Sequence, residues 1–99
     1  MVGAGTEGGN PRFAAMSMHP FKSVTVATEY VGHYRNITSV EEAGEFMLYG
    51  WPTEKGQLHL KARSACLDVM IKALDVKEAR DAFIAAAKEA GIYIREGAP

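Results

Sequence analysis

The apolar positions of this chain fall into two periods. Val24 and Val26 alternate with Thr25 and Ala27, a period of two rich in β-branched residues, which predicts a strand over Ser23–Glu29. Gly32 marks a turn, and His33–Ile37 is the expected return strand. A lone hairpin is marginal in water, so helices or a third strand must cover it. From Ser39 the period becomes helical. Val40, Ala43, Phe46 and Met47 form one apolar stripe, and the helix is expected to stop near Gly50, before Pro52. Ser39-Val40-Glu41-Glu42 reads as a capping box: the serine hydroxyl accepts a free backbone N–H and Glu42 reaches back to the Ser39 N–H. Trp51–Gln57 is expected to be a loop.

A second helix is predicted over Leu58–Ala73. Ala62, Ala65, Cys66, Val69 and Ala73 share one side, and Leu67, Met70, Ile71 and Leu74 widen it into an arc suited to more than one neighbour. Asp75-Val76-Lys77-Glu78 reads as another capping box and opens a third helix lined by Ala79, Phe83, Ala86, Ala87 and Ala90. Gly91 is the expected left-handed stop, with Ile92 folding back as its hydrophobic partner. Ile92–Arg95 can then extend beside the hairpin. The expected fold is α+β: a small antiparallel β-hairpin, with a short third strand available at the C-terminus, packed against three α-helices.

The stretch before the hairpin is different in kind. Val2–Pro11 is rich in glycine and offers little to bury, so residues 1–20 are expected to form a flexible tail on a single domain, residues 21–99. Met16 and Met18 are alternative starts for the chain. The glycines do not form a phosphate loop, since no strand precedes them and no Gly-Lys-Ser follows.

Composition narrows the class. With 99 residues, 47% hydrophobic and 23% charged, the chain suits one globular domain with a thin core, for which self-association is a natural way to bury more surface. The net charge is −1. Residues 39–57 concentrate the acid: Glu41, Glu42, Glu45 and Glu54 stand against Lys55, a local charge of −3. Nothing supplies the dense basic face of a nucleic-acid binder. Cys66 is the single cysteine, which excludes an intrachain disulfide and a four-thiolate zinc site. With no secretory signal pattern and no run of about 18 apolar residues, no membrane association is expected and a cytoplasmic location is.

Four regions offer chemistry. Cys66 follows Arg63 by three residues and His59 by seven, so the three share roughly one helical side, the arrangement of an activated thiol. The commoner explanation is a buried cysteine acting as a small hydrophobe. His33 and His59 invite a metal with nearby carboxylates, but no His-x-x-x-His or Glu-x-x-His pair preforms a site, and surface histidines are expected instead. Trp51-Pro52 reads as a lid over a core edge, or as an exposed aromatic anchor of the kind enriched at binding hot spots. Arg35 shares strand parity with Ile37 and is expected to pair with Glu41 or Glu45, or to hold an anion at the mouth of a groove.

The order of these blocks is familiar. Val24-Thr25-Val26, Arg35-Asn36-Ile37-Thr38-Ser39, Glu42-Ala43-Gly44-Glu45-Phe46, Trp51-Pro52, Ala65-Cys66-Leu67-Asp68 and the alanine-rich run Ala79 to Gly91 occur in sequence. Over residues 21–94 the chain resembles a family of small uncharacterised proteins from rhizobia and related α-proteobacteria, the domain of unknown function 982. The resemblance implies a bacterial cytosolic origin and a shared compact fold, and it implies no reaction, cofactor or partner. The longer stretch Ala27 to His33 departs from the family pattern.

Two functional expectations follow. The first is a non-enzymatic interaction module that binds a protein partner or a second copy of itself, with no cofactor and no metal. The second is a small-ligand sensor that uses Arg35, Trp51, His59 and Arg63 around a groove. An enzyme acting through Cys66 ranks third.

Overall fold

The structure is a computed structural model that describes residues 19–97. The tail expected over residues 1–20 lies, up to residue 18, outside the described residues. The elements are β1 (Pro20–Ala27), β2 (Tyr34–Ser39), α1 (Val40–Tyr49), α2 (Gln57–Met70), α3 (Val76–Ala90) and β3 (Tyr93–Glu96).

The strands form one antiparallel sheet in the order β2-β1-β3, so the third strand completes the sheet on the far edge of β1. Val24 pairs with Ile37 and Val26 with Arg35, and strand parity sends Val24, Val26 and Ile37 to one fully buried face. The helices cover that face, joining these residues to Phe46, Met47 and Phe83 in a single core. Thr25 and Asn36 have the opposite parity, and the Thr25 hydroxyl donates to Asn36 Oδ1 at 2.6 Å on the face away from the helices. This is the expected α+β architecture.

The hairpin turn spans Tyr30–His33. The His33 N–H donates to the Tyr30 carbonyl at 2.9 Å, and Gly32 supplies the positive φ of 84° that this turn requires. Thr28 braces the loop from within, its hydroxyl donating to the His33 carbonyl at 3.0 Å and accepting from the Tyr30 N–H.

Ser39 caps α1 as expected, its hydroxyl accepting from the Glu42 N–H at 3.1 Å. The reciprocal half of the box falls one residue earlier than expected. Glu42 accepts from both the N–H and the hydroxyl of Thr38, each at 2.7 Å. The box expected at Asp75 does not form: Asp75 begins α3 with no side-chain cap, and its backbone carbonyl takes the Glu78 N–H instead. Gly91 ends α3 at φ 75°, with Ile92 N–H donating to Ala87 and Gly91 N–H to Lys88, the paired bonds of a Schellman stop.

α2 stops at Met70, three residues short of the expected Ala73. Lys72 takes the left-handed conformation there (φ 65°), and Ala73 N–H returns to the Asp68 carbonyl at 2.7 Å. Ala73 is consequently exposed rather than on the buried stripe. α2 begins after Gly56 with no cap of its own. Glu89, from the last turn of α3, accepts from the Leu58 N–H at 3.2 Å and so closes the α2 N-terminus from another element.

Candidate interaction surface

α1 and α2 run antiparallel, joined by the loop 50–56. The join is made by His59, whose Nε2 lies 2.9 Å from the Met47 carbonyl. Met47 sits in the last turn of α1, where carbonyls have no partner within the helix, so His59 acts as a side-chain cap on that end. A carbonyl only accepts, so Nε2 carries the hydrogen. The imidazole is 2% exposed, which corrects the expectation of a surface histidine. Burial pushes its pKa below the ordinary value. The Met47 hydrogen bond and Glu89 oppose that shift, and the charges of Lys55 and Arg63 add to it.

Trp51 closes this corner. Its ring meets His59 edge-on at 4.7 Å, Phe46 at 5.7 Å and Phe83 at 6.4 Å, while its indole N–H donates to the Glu54 carbonyl at 3.3 Å. The geometry is that of a half-buried lid. Arg35 reaches the other side of Phe46, its guanidinium 5.7 Å from the ring and 3.3 Å from Glu45, one of the two acids expected for it. Arg63 lies elsewhere. Arg35 lines a depression beside the hairpin turn, and Arg63 lines the groove between α1 and α2. His33 is exposed and packs edge-on against Tyr30. Among the described residues no three His, Cys, Asp or Glu side chains gather as a metal site.

Cys66 forms part of the floor of the α1–α2 groove. Burial, with a smaller contribution from the Glu41 charge, pushes its thiol up to about 11. At neutral pH it is therefore protonated and a poor nucleophile, which matches the reading of a small buried hydrophobe. Burial also disfavours the Glu41 carboxylate, but hydrogen bonds from the His19 ring (2.5 Å) and backbone outweigh it and hold its pKa below the usual range.

The groove itself has a volume of about 490 Å³. From α1 it takes Glu41, Gly44, Glu45, Leu48 and Tyr49, and from α2 it takes Arg63, Cys66, Leu67 and Met70. Its rim is apolar and wet: Leu48 is 41% exposed, Tyr49 84%, Leu67 59% and Met70 40%. Ile71 and Leu60 extend the same exposed side of α2. Of the broad arc, Ala62, Ala65, Cys66 and Val69 are buried in the core and Leu74 packs against it. The remainder faces outward. The signal was present in the sequence, since Leu60, Leu67 and Ile71 recur at intervals of seven and four, a second stripe opposite the first.

A three-stranded antiparallel sheet with three helices, carrying an apolar groove between two of them, defines a small α+β domain. The chain belongs to the family described as "Protein of unknown function (DUF982)", which matches residues 22–94. No curated protein and no solved structure matches it. No helix among the described residues is long and apolar enough to cross a membrane.

Proposed function

We propose that this domain is a non-enzymatic protein-interaction module of the bacterial cytosol that works through the α1–α2 face. The observation that carries the reading is the contiguous exposure of Leu48, Tyr49, Leu67 and Met70 along one groove. Scattered exposed apolar side chains are ordinary, but several converging on one concave strip mark a surface that another chain covers. Most of the groups suited to a small ligand are already engaged within the fold: Arg35 with Glu45 and Phe46, His59 with Met47, Trp51 with the core edge. That occupancy favours an interaction module over a ligand sensor. The raised Cys66 thiol weighs in the same direction against covalent catalysis.

The test is a photo-crosslinking amino acid placed at Leu67 in the native host, with Lys77, exposed on α3, as the control position. The expected result is a protein adduct from position 67 and none from position 77. Absence of any adduct at 67 removes the reading.

A further inference from the structure

Resting on that reading, we infer that the occupant of the α1–α2 groove is a second copy of this chain, docked across a two-fold axis passing through the middle of the groove, between Glu45 and Arg63. The geometry begins with the antiparallel helix pair. His59 meets Met47 at one level and Cys66 lies in electrostatic reach of Glu41 at another. The groove thus runs from Leu67 and Met70 at one end to Leu48 and Tyr49 at the other, with Glu45 and Arg63 between them. A two-fold rotation exchanges the ends. Leu48 and Tyr49 of one copy then seat on Leu67 and Met70 of the other, and the same contact recurs by symmetry, as an isologous interface requires.

The charges select this pairing. α1 carries Glu41, Glu42 and Glu45 and no base, while α2 carries Lys61 and Arg63 against Asp68. Stacking α1 on α1 sets acid against acid, whereas crossing α1 onto α2 sets acid against base. Arg63 makes no hydrogen bond or ion pair within its own chain among the described residues, although it lines an apolar groove. Glu45 is half exposed and can serve Arg63 of the second copy while keeping its own Arg35. Beside that axis, a side chain at Gly44 would meet nothing within 4 Å, so the α1 backbone there lies open to close approach by α2 of the second copy. A thin core of this size gains most from such burial.

Sedimentation equilibrium of the full chain tests the inference. The expected mass is twice 10.7 kDa. Leu67→Glu, at an exposed position, yields monomer with an unchanged circular dichroism spectrum. Glu45→Arg alone and Arg63→Glu alone each weaken the dimer by about a hundredfold or more, because the two-fold axis makes either substitution remove both charge pairs at once. Mixing those two variants restores a heterodimer, because each Arg then faces a Glu across the axis in both crossings. A wild-type monomer at every concentration overturns the inference. So does a dimer that survives Leu67→Glu, or a mixture that does not associate. A Leu67 crosslink to residues 1–18 of the same molecule overturns it as well, and a crosslink to a different protein does so while leaving the interaction module standing.

Discussion

The indole of Trp51 and the imidazole of His59 meet edge-on with ring centroids 4.7 Å apart, so the single tryptophan reports directly on the one buried histidine. That histidine joins α1 to α2 through the Met47 carbonyl, which makes its protonation a matter of fold stability.

Acid is expected to weaken the fold through His59. Its pKa in the folded state lies below the ordinary 6.5, chiefly because burial disfavours the charged ring. As pH falls through 6.5 the unfolded chain takes up a proton that the folded chain resists. The unfolded state then binds more protons, and stability falls with pH until the folded-state pKa is reached. Above 6.5 both states are neutral and the contribution is flat. Urea unfolding followed by Trp51 fluorescence should show a midpoint loss between pH 7 and pH 5 that is smaller in His59→Gln, whose amide can still donate to Met47. Equal losses in the two proteins would show that His59 does not carry the acid sensitivity.

Cys66 is expected to resist alkylation. With its thiol near 11 and its side chain buried, iodoacetamide at pH 7 should label the native protein far more slowly than free cysteine. In urea the rate should rise to that of an ordinary thiol. Labelling of the native protein at or above the free-cysteine rate would reinstate the activated-thiol reading with Arg63.

Glu89 offers a test of the cap supplied between helices. Its carboxylate accepts from Leu58 N–H at 3.2 Å and occupies the space a side chain at Gly56 would need, 2.5 Å from the position of a Cβ there. Glu89→Ala frees the first turn of α2 and should cost about 0.5–2 kcal/mol, the usual range for a lost N-terminal cap. Hydrogen exchange should localise the effect to the start of α2, with the α2 centre unchanged.

Local patterns made the scaffold legible, and contacts between elements hid the remainder. The alternation around Val24 and Val26, the Ser39 cap and the Gly91 stop depend on neighbours in sequence, and each is present in the structure. His59 stood three residues from Ala62 and seven from Cys66, on the buried stripe, yet its polarity argued for the surface. What reverses that is the orphan Met47 carbonyl, supplied by a different helix. The Asp75 cap fails although its sequence resembles the Ser39 one, because a capping motif only permits the bond. In the sequence, Leu67 and Met70 stand only as the widening of an apolar arc. Only the position of α1 beside α2 shows that Leu48 and Tyr49 continue the strip begun by Leu67 and Met70.

The ends of α2 and α3 provide the last test, since they use the same motif with different residues. At α3, Gly91 takes φ 75° and the N–H groups of Gly91 and Ile92 return to Lys88 and Ala87. At α2, Lys72 takes φ 65° and the N–H groups of Lys72 and Ala73 return to Val69 and Asp68. Glycine enters this region without penalty, whereas a side chain there costs about 1–2 kcal/mol. Lys72→Gly relieves that strain and loses part of the gain to the greater freedom of glycine in the unfolded chain. A net stabilisation of about 0.5–1 kcal/mol is expected, or a rise in Tm of about 3–6 °C for a domain of this size. Lys72→Ala removes the same charge and side chain but keeps the Cβ, so it should gain nothing. If both variants stabilise equally, the relief comes from the lysine side chain and not from the backbone at this turn.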